Sequence, residues 1–406
     1  MDHLLFLAHR IPYPPNKGDK IRSYHLLRHL CRDFHVHLGC FVDDEQDWAH
    51  VETLKAMCGE TYFARLAPAQ ARLKSLGGLL RGEPLTLAYY RHAGLSRWVG
   101  QLAARQPVER MLVFSSAMAQ FVPQQARATR VIDFVDIDSD KWAQYAARKP
   151  WPARLIYQRE ARRLLHYERR IAAQFDAALF VSPAEAQLFR SLAPLQADKV
   201  AHFCNGVDAQ YFSPQAALAD PYPPGEQAIV FTGAMDYWPN IDAVVWFADA
   251  VLPAILARHP AAVFYIVGSR PAAAVRALAG RAGVRVTGTV ADVRPYVAHA
   301  QLAVAPLRIA RGIQNKVLEA MAMGKPVIVS AQALEGIDAQ PGRDLMLAHD
   351  AHEFAALVNA QLAQPDAALG PAARRLVLDQ FDWNRNLRRI DHWFAARTAA
   401  PAQGVL

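Results

Sequence analysis

Short apolar runs alternate with helical patterns along the whole chain, and one proline-rich break divides them. In the first half the runs are Leu4–Ala8, His35–Phe41, Thr61–Leu66, Arg110–Ser115, Arg130–Asp136, Ala177–Ser182 and Val200–Cys204. After the break they are Ala228–Thr232, Val263–Val267, Val284–Thr289, Leu302–Pro306, Pro326–Ser330 and Leu345–Ala348. Helical spacing falls between them, over Lys20–Leu30, Asp47–Met57, Ser139–Arg148 and Pro152–Gln174. It resumes over Asn240–Ala257, Pro271–Arg281, Gly312–Met323 and Ala351–Gln364. Strands rich in Val, Ile and Leu that alternate with helices predict parallel α/β sheets covered on both faces.

The break runs from Phe212 to Gly225 and holds Pro214, Pro221, Pro223 and Pro224 without an apolar period. It reads as a linker. The chain has 406 residues, and one hydrophobic core stops growing near roughly 250–300, so two domains are expected. Sheets of this kind bind ligands at the carboxyl ends of their strands, in the cleft between two such domains.

Composition excludes several classes. With 52% apolar and 20% charged residues the chain is neither disordered nor fibrous. Cys31, Cys40, Cys58 and Cys204 form no C-x-x-C pair, which argues against structural zinc or a disulfide framework. The apolar stretch Ala243–Val267 is broken by Asp249, Pro253, Arg258, His259 and Pro260, so it is not expected to span a bilayer. The opening residues have too short an apolar run for a signal peptide. The expectation is a cytoplasmic protein.

The surplus of positive charge is local. Residues 148–170 carry eight basic side chains against Glu160 and Glu168. At 100° per residue Arg159, Arg162, Arg163, His166 and Arg170 share one helix face, opposite Tyr157, Ala161, Leu164, Ile171 and Phe175. Such a face is either a solvated surface or a contact for anionic lipid headgroups or a phosphorylated substrate. No nucleic-acid motif accompanies it.

Three places can carry chemistry. The loop after the first strand, with Lys17, Gly18 and Asp19 ahead of a helix, is either an anion site or a stiff proline turn. Asp136 and Asp138 follow a strand, where a carboxylate either orients an acceptor hydroxyl or caps the next helix. The third place is more specific: Arg308, Arg311 and Gly312 precede a helical stretch in which Lys316 and Glu319 share a face. There the amides of Gly312, Ile313 and Gln314 and the Lys316 cation suit phosphates, and Glu319 suits vicinal hydroxyls. The alternative is a surface Lys–Glu pair.

The stretch Lys316-Val317-Leu318-Glu319-Ala320-Met321-Ala322-Met323-Gly324-Lys325-Pro326-Val327 closely resembles the nucleotide-sugar signature of family 4 retaining glycosyltransferases. Phe231–Met235, which includes Gly233, and Asn240–Ala243 resemble the opening of that family's C-terminal domain. Asn205–Phe212 resembles its approach to the linker. Asp382-Trp383 resembles the start of its final helix. More narrowly, Pro12–Arg22, Asp133–Trp142 and Gln314–Gly324 look like the sugar transferases of bacterial exosortase (PEP-CTERM) exopolysaccharide loci.

The resemblance implies a GT-B fold, with two Rossmann-like doubly wound domains facing each other across a cleft. Its parts would be an acceptor-side domain over 1–212, a linker at 213–227, a nucleotide-sugar domain over 228–381 and a helix over 382–406 that crosses back. It implies transfer of a sugar, with retention, from a nucleotide diphosphate to a lipid-linked or polysaccharide acceptor. Glu319 would hold the ribose, with Gly18, Gly233, Arg308, Gly312, Ile313 and Gln314 around the donor. Asp136, Arg311 and Lys316 would act on the reaction. Arg159, Arg162, Arg163 and Arg170 would face the acceptor or an anionic membrane. Neither a metal nor an organic cofactor is implied.

The sequence also departs from the family. Its E-x7-E motif places an acid where this chain has Arg311. The Arg and Lys that follow the second domain's first strand are replaced by Ala234 and Pro239. The loop Phe114–Met118 lacks a histidine common in relatives. These departures favour the competing expectation, a non-catalytic nucleotide-sugar-binding or scaffold protein.

Overall fold

The computed structural model describes residues 1–15, 18–123, 128–147, 149–310 and 313–395. It divides into two units. The first holds Met1–Phe203 and takes up the chain again from Leu387, and the second holds Cys204–Asn386.

The first unit is built on a seven-stranded sheet in the order β3-β2-β1-β4-β5-β6-β7. Its strands are β1 His3–Ala8, β2 His35–Val42, β3 Thr61–Arg65, β4 Val108–Phe114, β5 Thr129–Val135, β6 Ala177–Phe180 and β7 Val200–His202. All its ladders are parallel. Leu4 to Ala8 are buried without alternation, as a strand covered on both faces requires. The order reverses direction beside β1, which has β2 on one side and β4 on the other. The second unit repeats the plan with six parallel strands in the order β10-β9-β8-β11-β12-β13. They are β8 Gln227–Thr232, β9 Ala262–Val267, β10 Val284–Gly288, β11 Leu302–Ala305, β12 Val327–Val329 and β13 Met346–Leu347. Here the reversal lies beside β8.

Several boundaries differ from the sequence expectation. The stretch 47–57 is a 3-10 turn, Glu45–His50, started by the Asp44 side chain, followed by a short helix, Val51–Lys55. The stretch 271–281 shortens to Ala273–Arg276 and a 3-10 turn. The helix expected from Gly312 begins at Asn315 and ends at Ala322.

The proline-rich stretch is bound to the second unit. Phe212, Leu218 and Tyr222 pack on its core, and the Tyr222 hydroxyl donates to the Tyr296 carbonyl at 2.5 Å.

Among the described residues one helix, Trp238–Leu256, is long and apolar enough to cross a membrane by length and composition. Its Ala243, Val244, Phe247, Val251, Leu252 and Ile255 are buried in the second core. A wide turn at Phe247–Val251 precedes Pro253, where a regular helix would set the proline ring against a carbonyl one turn back.

Candidate functional site

The second unit concentrates its candidate groups at the carboxyl ends of β8 and β11. A side-chain carbon on Gly233, just past β8, would lie 2.7 Å from Asn240 Nδ2 and 3.2 Å from Lys316 Nζ. The bare glycine therefore leaves room for both groups. Lys316 Nζ donates to Asn240 Oδ1 at 2.5 Å and lies 4.4 Å from the centre of the Phe231 ring. Asn240 Nδ2 in turn donates to the Ala234 carbonyl at 2.9 Å. One amide thus ties the helix Asn315–Ala322 to the loop after β8.

Lys316 and Glu319 are both half-buried and one turn apart. Burial pushes the Lys316 ammonium down to about 7, with Glu319 opposing. It pushes the Glu319 carboxyl up to about 7, with Lys316 opposing. Each charge is therefore poised to respond to a bound ligand. At the first turn of the same helix Asn315 Oδ1 is buried without a hydrogen-bond partner.

Other expected donor residues are placed differently. Arg308 is held by Asp242 through Nε at 2.9 Å and Nη2 at 2.5 Å, so it is a neutralised surface pair and not a free phosphate cation. Ile313 is buried, and Gln314 flanks the helix start. The amides expected at the helix N-terminus are thereby shifted to Asn315 and its successors. Arg311 and Gly312 lie outside the described residues. Tyr237 and Trp238 are exposed at the start of their helix.

In the first unit, polar groups gather at the carboxyl ends of β1, β4 and β5. Ser115 (φ 81°) and Val135 (φ 68°) hold left-handed backbone there, a strain of about 1–3 kcal/mol each that tends to mark functional sites. Asp136 follows Val135 and accepts from Lys141 Nζ at 2.7 Å. Burial disfavours the Lys141 charge, but Asp136 and Asp138 outweigh it and keep the ammonium. Asp136 is thus one half of an ion pair.

Gly18 opens the helix Gly18–Leu30, and a side-chain carbon there would meet nothing within 4 Å. Arg10 bridges Asp19 at 2.5 Å and Asp43 at 2.8 Å, and Lys20 is paired with Asp47 at 2.6 Å. Arg10 and Lys20 are thus both paired with carboxylates, and what this helix start offers an anion is its backbone amides. Lys17 lies outside the described residues.

Sequence reasoning passed over His9, at the end of β1. Its Nε2 lies 3.4 Å from Asp19 Oδ2, its ring stacks on Phe114, and its Nδ1 is buried without a hydrogen-bond partner. Burial would raise the Asp19 carboxyl, but His9 and Arg10 prevail and hold it below the ordinary range. A histidine at a strand end with an acid ten residues on was the available signal. Tyr90 packs edge-on against His9, Phe41 and Tyr89.

Among the described residues, one cluster has metal-ligand proximity. His3, His35 and His37, at the amino ends of β1 and β2, bring ligand atoms within 4.8 Å of one another. The Glu60 amide donates to His37 Nδ1 at 3.0 Å, which puts the His37 proton on Nε2, 2.9 Å from His3 Nδ1. A protonated nitrogen is not a ligand. Burial, then His35 and His3, pushes His37 down to about 4.

The basic helix Ala153–Gln174 buries Ala161, Leu164 and Ile171 and exposes Arg162, Arg163 and Arg170. Arg159 departs from the expected face. It donates to the carbonyls of Glu83 at 3.2 Å, Gly78 at 3.3 Å and Leu79 at 3.4 Å.

Comparison with solved structures places this architecture. Sucrose-phosphate synthase from Thermosynechococcus elongatus superposes with a TM-score of 0.71 at 19% identity, covering 97% of this chain and 98% of that one. HepE from Anabaena, in complex with UDP and glucose, gives 0.66 at 16% identity, with 97% and 100% covered. WaaG, a glycosyltransferase involved in lipopolysaccharide biosynthesis, gives 0.66 at 14% identity, with 97% and 100% covered. The fold is GT-B. Residues 226–364 match the family model described as Glycosyl transferases group 1. That match takes in Gly233, Asn240, Lys316 and Glu319, so the cluster of the second unit falls within the group 1 segment. The GT-B fold and the group 1 match together support a transferase. A search of curated proteins finds no significant match.

Proposed function

We propose that this chain is a retaining glycosyltransferase that moves a sugar from a nucleotide diphosphate to a lipid-linked or polysaccharide acceptor in exopolysaccharide assembly. It would work in the cytoplasm and at the inner face of the membrane. The observation that carries the reading is the Gly233–Asn240–Lys316–Glu319 constellation within the group 1 match. Lys316, fixed by Asn240, neutralises the diphosphate as it departs, and the first amides of the helix Asn315–Ala322 add to the same field. Glu319 receives the ribose hydroxyls. No metal or organic cofactor is assigned a role. Uridine diphosphate is the first nucleotide to test, because HepE holds it.

A second reading, a binding or scaffold protein without turnover, is favoured by one observation: Arg308 is neutralised by Asp242. Incubation with labelled nucleotide sugars and a membrane extract separates the two. Label in a lipid or polymer product supports transfer, binding without transfer supports the scaffold, and no nucleotide binding overturns both.

A further inference from the structure

Apart from Met1 and Leu195, the large exposed apolar side chains among the described residues of the first unit fall within residues 73–76 and 145–156. Leu73 is 72% and Trp151 78% exposed, and Leu76, Tyr145, Leu155 and Ile156 are each about half exposed. They belong to two segments that the structure fastens together. Arg159 reaches from the helix Ala153–Gln174 to the carbonyls of Gly78, Leu79 and Glu83. Its neighbour Glu160 is fully buried and accepts from the amides of Leu85 at 2.7 Å and Thr86 at 2.9 Å. Leu155 and Ile156 lie one turn before this clasp, and Leu73 and Leu76 just before the clasped carbonyls.

Within these two segments the charge has one sign, and Glu83, just beyond the first, is paired with Arg91 at 2.6 Å. Residues 67–82 contain Arg72, Lys74 and Arg81 and no acid, and residues 141–159 contain five basic residues and no acid. Lys74, Arg81, Lys149 and Arg154 are exposed, whereas Lys141 is turned inward onto Asp136. Large apolar side chains left in solvent on two segments that are tied together point to an interaction site. A tryptophan and aliphatic side chains ringed by Lys and Arg suit the boundary between headgroups and acyl chains of an anionic bilayer.

We propose that this clasped tip, from Leu73 and Leu76 to Trp151, Leu155 and Ile156, is a membrane-contact surface for anionic lipid. The apolar side chains anchor it, and the lysines and arginines select the lipid. This assigns the contact to the start of the helix and the 73–81 segment, not to the arginine face further along. It complements a lipid-linked acceptor but rests on the first unit alone.

The test uses the full chain and vesicles of phosphatidylcholine with about one third phosphatidylglycerol, beside pure phosphatidylcholine. Wild-type protein should co-sediment with the anionic vesicles at low salt. Trp151→Ser/Leu155→Ser/Ile156→Ser should lower the partition roughly tenfold or more with an unchanged unfolding midpoint, because these side chains are already in solvent. Lys74→Gln/Lys149→Gln/Arg154→Gln should erase the preference for anionic vesicles. Wild-type protein that ignores anionic vesicles overturns the proposal. So does an apolar triple variant that binds as well as wild type, or a patch found buried in a stable dimer. Uridine diphosphate titrated into the same samples reads the transferase proposal separately, since its failure leaves the vesicle result standing.

Discussion

Arg22 Nε stands 2.7 Å from Asp133 Oδ2, and neither side chain is exposed to solvent. Arg22 Nη2 reaches Oδ1 at 3.2 Å, Nη1 donates to the Phe203 carbonyl at 3.0 Å, and the guanidinium lies 3.6 Å over the Phe203 ring. Burial pushes the Asp133 carboxyl up, with Arg22 opposing. The pair joins the helix after β1 to β5, which leads into the strained Val135 and Asp136. Arg22→Met should cost about 3–5 kcal/mol in urea unfolding, because it strands a buried carboxylate. Arg22→Met/Asp133→Leu should recover most of that loss. Equal destabilisation of single and double variants would mean that the two side chains do not act as a pair.

Glu319→Gln should weaken uridine diphosphate binding by about tenfold or more, the worth of a charge-assisted hydrogen bond. The thermal midpoint should barely move. Calorimetric titration beside a melting curve reads both. Intact binding with a lowered midpoint would make Glu319 structural.

Proton linkage follows from the same helix. With Lys316 near 7 and Glu319 near 7 in the free protein, the diphosphate favours the ammonium and the ribose hydroxyls favour the carboxylate. Binding at about pH 8 should therefore take up protons through Lys316, and binding at about pH 6 should release them through Glu319. Affinity should peak between these values. Titrations in buffers of different ionisation enthalpy measure the sign, and Lys316→Met should abolish the uptake on the alkaline side. Proton release at both pH values would contradict the assignment.

Arg308→Gln should leave uridine diphosphate affinity within about twofold, because an exposed pair with Asp242 contributes little beyond its own neutralisation. Asp242→Asn frees the guanidinium and should make binding tighter and more salt-sensitive. A large loss in Arg308→Gln would show that the arginine leaves Asp242 for the ligand.

The candidate site was legible where local spacing sufficed. Lys316 and Glu319 share a helix face by a three-residue interval that any reader of the sequence can count. Asn240 as the partner of Lys316 was not, since 76 residues separate them and only the adjacency of β8 and β11 brings them together. His9 was missed in part for the same reason: its stacking on Phe114 depends on β4 lying beside β1, although Asp19 follows it by only ten residues.

The sequence by itself determined two parallel α/β sheets and the stretches that build them, because strand and helix periodicities record burial residue by residue. Which charges are free was decided by the tertiary structure. Arg308, Arg10, Lys20 and Arg159 look alike in the sequence as cations near a candidate site. In the fold three are paired with acids from other elements, and Arg159 clasps backbone carbonyls. An ion pair is chosen by the atoms within about 4 Å of a charge, and strand order, not spacing along the chain, sets what those atoms are.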